Sequence, residues 1–321
     1  MRELRSRIRI VTFLLIMLLV IVFTYSIYSI NVYGTRWFAY GRNTRVLSDK
    51  NVVVPGKIID RNGVVLAYTD SDGNRKYQND KLKRSAVVHL LGDSQNQVSN
   101  GVEKFQARYL YGFDTSLSER IEQFINGKQR YGDNIQLTVD SELNTYIVNK
   151  FNEDKDLRNK GAGIVVMNYK TGEIIALVSM PIFDPVNIPK SAFTDERRPF
   201  WNRVTQSTLP PGSTYKIITM ASVLQFDTEL ANSEFNCDGA VVLDNHTIKD
   251  ANGAVHGPIS LKKAFEVSCN NTFAKIALSL GDEKLLETSK ALGFNDNFLF
   301  RDIVVENSVY PSEGRNELEI A

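Results

Sequence analysis

The chain has 321 residues, 43% of them apolar and 23% charged, with 38 lysines and arginines against 37 aspartates and glutamates. That length suits about two domains, the apolar share excludes global disorder, and a net charge of +1 leaves no overall field to gather nucleic acid. Two cysteines, Cys237 and Cys269, exclude both a disulfide-dense mini-protein and a cysteine-cluster metal site, and the three scattered histidines, His89, His246 and His256, speak against a histidine-based one.

The mean hydropathy of −0.21 conceals an apolar block near the N-terminus. Residues 10–30 carry no charge, and a helix of that length spans roughly 30 Å of hydrocarbon. Arg2, Arg5, Arg7 and Arg9 precede it against Glu3 alone, so the positive-inside rule places residues 1–9 in the cytoplasm and everything after Ile30 outside. The block is too long for a cleaved signal peptide, and Tyr25, Tyr28 and Tyr33 form an interfacial belt at its far end. The expectation is an uncleaved single-pass anchor in the plasma membrane, with the rest of the chain working outside and without nucleotide cofactors.

Residues 31–158 are polar and rich in turn signals. Val52 to Val54, Ile58-Ile59 and Val64 to Leu66 flank Pro55-Gly56 and Asn62-Gly63, which predicts a small strand-turn-strand unit with an Asn-Gly hairpin turn. Leu117, Ile121 and Phe124 recur at helical spacing, and Ser-x-x-Glu patterns predict helix starts there and near Asp140. Near residue 159 the texture changes. Gly163 to Met167 and Ile174 to Val178 predict a β-hairpin closed by Asn168 to Gly172, and their continuous apolar runs predict strands covered on both faces. Helical patterns follow over Tyr215 to Gln225, Leu261 to Val267 and Thr272 to Leu280.

The chemistry starts at Pro210-Pro211-Gly212-Ser213-Thr214-Tyr215-Lys216. Two prolines and a glycine ahead of an apolar helical run set Ser213 at a helix N-terminus, where backbone N–H groups and the helix dipole stabilise a developing oxyanion. Lys216 falls one turn later, within reach of the Ser213 hydroxyl, and a partly buried lysine can take its proton. Ser-x-x-Lys by itself is a weak signal, and it recurs at Ser260 and Lys263, where it reads as a helix cap beside a solvated lysine. Ser268-Cys269-Asn270 follows Ser213 by some 55 residues and adds the second element of the penicilloyl-serine pattern. Cys269, as its middle residue, reads as a small buried apolar group, and nothing in the sequence favours a Cys237–Cys269 disulfide. Asp238-Gly239, Asp244 and Asp250 to Gly253 lack calcium-loop spacing and read as turns.

With these motifs the chain resembles the class B penicillin-binding proteins, membrane-anchored peptidoglycan D,D-transpeptidases. Pro55 to Gly63 with Val64 to Ala67 is similar to their pedestal motif, and Leu137 to Asp140 with Glu142-Leu143 to the segment entering the transpeptidase domain. Thr171 to Ile174, Ser179-Met180-Pro181 and Phe183-Asp184-Pro185 resemble the first hairpin and its exit loop, and Asn202-Arg203 and Pro211 to Lys216 complete the order. The resemblance implies an α+β chain: a cytoplasmic tail over 1–9, a transmembrane helix over 10–30, a β-rich pedestal of dimerisation type over 31–158, and over 159–321 the N-terminal part of a transpeptidase domain with an antiparallel sheet and helices. It implies Ser213 as nucleophile, Lys216 as its base, Ser268 as proton relay and Asn270 as the group that holds the donor peptide. It implies no cofactor or metal, and as partners D-Ala-D-Ala stem peptides, β-lactams as covalent ligands, the membrane and a polytopic glycosyltransferase.

The family's third motif, Lys-Thr/Ser-Gly, does not occur between Asn270 and Ala321. Lys170-Thr171-Gly172 spells it but precedes the nucleophile, where it reads as a hairpin turn. The expectation is therefore a C-terminally incomplete transpeptidase. The alternatives are a non-catalytic scaffold that partners a glycan polymerase and a serine β-lactamase.

Overall fold

The computed structural model describes residues 2–39, 53–93, 97–98, 100–113, 118–119, 122, 125–126, 129–243, 246–298, 303–311 and 315–320. Helix α1 runs over Arg2–Ala39. Within it Arg7–Ile30 has a hydropathy of 2.8 and is not buried by protein, with Phe13, Leu19 and Phe23 all exposed. Its length is about 36 Å, enough to cross a bilayer core. A helix apolar all round needs lipid or a protein core around it, and the described residues provide no such core.

The described residues fall into two compact units, one within 1–207 and 299–305, the other within 208–298 and 306–321. The first begins with β1 (Val53–Val54), β2 (Ile58–Ile59), β3 (Val65–Thr69) and β4 (Arg75–Tyr77), joined later by β5 (Arg130–Tyr131) and β6 (Ile135–Gln136). The expected hairpin is β2 with β3, antiparallel, closed by Asp60 to Gly63 with Gly63 at φ +83°, where a side chain would be strained. Val53 and Val54 do not belong to it. They pair in parallel with Arg130 and Tyr131, a partner some 77 residues away that local pattern cannot reveal. The four-stranded sheet has the order β4-β3-β2-β6, with β2 and β6 parallel.

Asp60, fully buried, explains the Asp-Arg-Asn-Gly sequence. One carboxylate oxygen accepts from the N–H groups of Asn62 and Val64, the other from the N–H and hydroxyl of Ser141 at 3.2 and 2.7 Å. Burial works against this charge, and the hydrogen bonds outweigh it, holding the carboxyl below its ordinary range. The same contact fixes the start of α3 (Ser141–Glu153), whose N-cap Asp140 accepts from Glu142 and Leu143 N–H. Helix α2 (Lys81–Ala86) precedes it, and Arg84 in α2 grips Asp184 of the Phe183-Asp184-Pro185 loop through two bonds of 2.7 and 2.6 Å. The helical pattern of Leu117, Ile121 and Phe124 lies outside the described residues, as do Val52 and Asp244.

The hairpin expected after 159 is β7 (Ala162–Met167) against β8 (Ile174–Met180), antiparallel. β8 is buried and sets Val178 and Met180 against Ala86, Val148 and Phe151. β7 is not covered on both faces: Val165, Val166 and Met167 are 50%, 38% and 58% exposed. Among the described residues β7 pairs with β8 alone, so these side chains have a neighbouring strand on one side only. Gly161 and Gly163 allow Arg203 and Val204 to approach β7 closely; a Cβ on Gly161 would stand 2.6 Å from the Arg203 guanidinium.

The second unit is less purely helical than its periodicity predicts. Between α4 (Lys216–Phe226) and α5 (Leu261–Glu266) stand four short strands, β9 (Glu234–Cys237), β10 (Ala240–Leu243), β11 (His246–Lys249) and β12 (Gly257–Ser260). They form two antiparallel pairs, β10 with β11 and β9 with β12. Each strand has four residues and is part exposed, too short for a period-2 signal. Helices α6 (Asn270–Leu280) and α7 (Asp282–Ala291) complete the unit. Its core gathers Val223, Leu261, Phe273, Ile276, Leu280 and Leu285 with both cysteines. Truncating fully buried Ile276 to alanine costs about 2–5 kcal/mol.

Candidate active site

Every member of the candidate site lies in the second unit. Gly212–Tyr215 is a 3-10 turn that runs directly into α4, so exposed Ser213 stands at the head of a helix as its Pro-Pro-Gly lead predicts. Gly212 has φ +56°, and the Thr214 hydroxyl donates back to the Pro211 carbonyl at 2.5 Å. Tyr215 ties this turn to the core: its hydroxyl meets that of Ser289 at 2.7 Å, and its ring packs on Phe294 and Tyr310.

Lys216 is the centre of the arrangement. Its ammonium donates to the Ser268 hydroxyl at 3.0 Å, the Ser268 carbonyl at 2.8 Å and Asn270 Oδ1 at 2.5 Å, and reaches the Ser213 hydroxyl at 3.5 Å. It also stands 5.6 Å from the centre of the Phe273 ring. Burial lowers its pKa below the usual lysine value of 10.5, against opposing attraction from the Asp250 and Cys269 side. A lysine so placed can lose its proton and act as a base.

The second motif is shaped for this contact. Helix α5 ends before it, and Ser268 adopts φ +55°, a left-handed conformation rare for serine, which turns both its hydroxyl and its carbonyl to Lys216. Cys269 is the N-cap of α6, with its sulfur accepting from the Thr272 N–H at 3.3 Å. Asn270 opens that helix, its amide spanning Lys216 and the Lys249 carbonyl, to which it donates at 2.9 Å.

Asp250 is the residue that pattern reading missed. Its place after β11 in a turn is as expected, but its side chain is 1% exposed. Oδ1 accepts the backbone N–H groups of Asn270 and, at 3.2 Å, Asn271, so this carboxylate holds the start of α6 and the end of the Ser268–Asn270 turn. Oδ2 accepts from the thiols of Cys237 at 2.9 Å and Cys269 at 3.3 Å and lies 3.6 Å from His256 Nδ1. Burial raises the Asp250 pKa, and these thiol and N–H donors overcome it, keeping the carboxyl below its usual range. Burial pushes the Cys269 thiol up to about 11. Cys269 is buried, as expected of a small apolar group, yet its sulfur stands 3.1 Å from that of Cys237, and both thiols are free.

Metal chemistry excluded by counting cysteines and histidines separately returns once they are taken together. Cys237, Asp250, His256 and Cys269 come from four segments, and one donor atom of each lies within 4.8 Å of all the others. No spacing motif in the sequence signals this. Of the other histidines, His89 is buried in the first unit against the Pro199 carbonyl at 2.6 Å, and burial depresses its pKa to about 4.

The two look-alike motifs have other uses. Ser260 caps α5 by accepting the Lys263 N–H at 3.2 Å, and Lys263 turns outward to Glu266. Lys170-Thr171-Gly172 lies in the β7–β8 turn, with Gly172 at φ +78° and Lys170 on the exposed ring of Tyr169.

Residues 162–316 match the penicillin binding protein transpeptidase domain family. The peptidoglycan D,D-transpeptidase PbpA of Mycolicibacterium smegmatis is 30% identical over 272 residues, 79% of this chain and 55% of that protein. The peptidoglycan D,D-transpeptidase MrdA of Escherichia coli is 26% identical over 249 residues, 72% of this chain and 37% of that protein. The imipenem acyl-enzyme structure of penicillin-binding protein A from Mycobacterium tuberculosis superposes with a TM-score of 0.69 at 25% identity, covering 81% of this chain and 63% of that one. The chain thus spans about half the length of the first of these curated relatives. Over residues 162–316 the chain belongs to the penicillin binding protein transpeptidase domain family, and relatives named peptidoglycan D,D-transpeptidase carry the likeness across most of its length.

Proposed function

We propose that the chain carries the nucleophile, base and proton relay of a peptidoglycan D,D-transpeptidase. The observation that carries this reading is the Lys216 amine held between the hydroxyls of Ser213 and Ser268. In its neutral form Lys216 accepts the Ser213 proton as Ser213 Oγ attacks the carbonyl of the penultimate D-alanine of a stem peptide. The tetrahedral oxyanion forms at the helix N-terminus, where the Ser213 N–H supplies one donor. As it collapses, the bond to the terminal D-alanine breaks, Ser268 passes the proton from Lys216 to the leaving amine, and an acyl-serine remains. An amine from a neighbouring strand attacks that ester, returns its proton along the same path and completes the cross-link. Asn270 holds the donor peptide through its side-chain amide. A β-lactam mimics the acyl-D-Ala-D-Ala donor, so Ser213 is also the residue it acylates.

In this reading residues 1–9 are cytoplasmic, 10–30 anchor the chain in the plasma membrane, 31–158 form the pedestal and 159–321 belong to the transpeptidase domain outside. The apolar segment of α1 and its basic flank support that orientation. The partners are D-Ala-D-Ala stem peptides, the membrane and a polytopic glycosyltransferase. The test is labelling of the full chain in detergent with a fluorescent penicillin. Covalent label that disappears in Ser213→Ala supports the assignment, and a wild-type chain that takes no label overturns it.

A further inference from the structure

The segment 190–206 borders a cavity that has no part in the acyl-transfer chemistry above. The cavity lies within the first compact unit, has a volume of about 280 Å³, and is lined chiefly by Phe193, Asp195, Arg198, Phe200, Trp201 and Gln206. We propose that it is a sugar subsite that takes one N-acetylhexosamine ring of a glycan strand; the choice of glycan rests on the peptidoglycan reading above.

Its walls are fixed from β8 and from the buried His89. The Ser179 hydroxyl of β8 donates to the Trp201 carbonyl and accepts the Arg203 N–H, both at 3.0 Å. His89 Nε2 stands 2.6 Å from the Pro199 carbonyl, and the His89 carbonyl accepts from the Asn202 amide at 3.1 Å. Phe200 packs edge-on against Phe183 at 5.0 Å and meets Phe193 at 5.1 Å between ring centres. Such support sets an aromatic surface before a ligand arrives and spares the cost of ordering it. Arg198 adds strain to the same wall: its φ of +48° is left-handed, a conformation rare for arginine and common at ligand sites.

The lining is of two kinds, and a sugar uses both. Phe193 and Trp201 are 56% and 39% exposed, and the Trp201 Nε1–H is already given to the Ser207 hydroxyl at 2.9 Å. What these rings keep for a ligand is their faces, which attract the weakly positive C–H groups along one side of a pyranose. Asp195 is bound by Arg197 through bonds of 3.0 and 2.8 Å, while Arg198 is exposed. A guanidinium donates to hydroxyl and acetamido carbonyl oxygens, and a carboxylate accepts from hydroxyls. An apolar ligand would cover these charges without hydrogen-bonding them, and a bare phosphate would leave the aromatic faces unused. The volume falls just below the roughly 300 Å³ at which pockets for drug-sized ligands begin, which suits a single ring.

A ring held here gives a glycan strand a second point of attachment besides its stem peptide. Two linked contacts bind more tightly than either alone wherever the strand is long enough for both to engage. A strand that has donated one stem then stays on the chain.

The probe is chitotriose, a trimer of N-acetylglucosamine, added to the full chain in a detergent without a sugar headgroup. The chain has two tryptophans, Trp37 and Trp201, so Trp37→Phe leaves Trp201 as the reporter. Its emission is expected to shift saturably with chitotriose and not with maltotriose, which lacks acetamido groups. Arg198→Gly removes the guanidinium and suits the left-handed backbone, so it should keep or raise thermal stability while weakening binding about tenfold. Phe193→Ala, at an exposed ring, should weaken binding comparably. No saturable shift, an equal shift with maltotriose, or Arg198→Gly and Phe193→Ala chains that bind as the wild type does overturn the subsite. Penicillin labelling of Ser213 reads the other site. A chain that binds chitotriose but takes no label sinks the acyl-transfer reading alone, and a labelled chain that binds no chitotriose sinks the subsite alone.

Discussion

Ser213-Thr214-Tyr215-Lys216 and Ser260-Leu261-Lys262-Lys263 share one pattern inside one compact unit, and each places its serine at the start of a helix. In the second the serine is spent on the backbone, accepting the Lys263 N–H, and the lysine extends into solvent toward Glu266, with side chains 56% and 48% exposed. In the first the lysine is drawn inward under Phe273 and meets the Ser268 hydroxyl, the Ser268 carbonyl and Asn270. Spacing makes a serine-lysine pair possible. What sets the first pair apart is a second element that desolvates the amine and surrounds it with a hydroxyl, a carbonyl and an amide.

The comparison can be broken in order of expected effect. Ser213→Ala should abolish covalent penicillin labelling, whereas Ser260→Ala should leave it unchanged; a labelled Ser213→Ala chain would mean the wrong serine has been chosen. Lys216→Ala should slow acylation by about 10²–10⁴, the usual worth of a general base, and Lys263→Ala should not. Single-turnover rates of penicillin acylation separate the two. The pH profile sharpens the same contrast. Burial depresses the Lys216 pKa, so the neutral amine gains population as pH rises, and acylation should climb and level off below the usual lysine value of 10.5. A profile that rises only with an ordinary lysine would show that Lys216 is not the base.

The smallest effects belong to the other pair and are structural. Removing the Ser260 cap should lower stability by about 1 kcal/mol in denaturant unfolding, with labelling intact. Loss of the exposed Lys263–Glu266 contact should cost no more than about 0.5 kcal/mol. A larger loss from Lys263→Ala than from Ser260→Ala would reverse the ranking drawn from their exposure.

Much of this was legible in the residues. The apolar helix over Arg7–Ile30, the Asp60–Gly63 hairpin turn, the Asp140 helix start, the β7–β8 hairpin and the helical head at Ser213 all rest on local signals that a short window carries. The pairing of Val53-Val54 with Arg130-Tyr131 was not legible, because strand partners distant in the chain leave no periodic trace. The four strands between Glu234 and Ser260 were missed because four residues with mixed exposure show neither period.

Asp250 shows the same limit at the site. In the sequence it is one aspartate in a turn, beside Asn252 and Gly253. In the fold it is a buried carboxylate that binds the start of α6 on one side and two thiols on the other. The sequence by itself determined which chemical groups exist and how far apart they stand within a turn of helix: an apolar span, a serine with a lysine one turn on, a Ser-Cys-Asn triplet. Only the tertiary structure decided which lysine loses its water, which turn bends to φ +55° to receive it, and that Cys237, Asp250, His256 and Cys269 share one point in space. Local hydrogen bonds and hydrophobic periodicity act over a few residues, whereas desolvation and donor convergence depend on segments that meet only when the core closes.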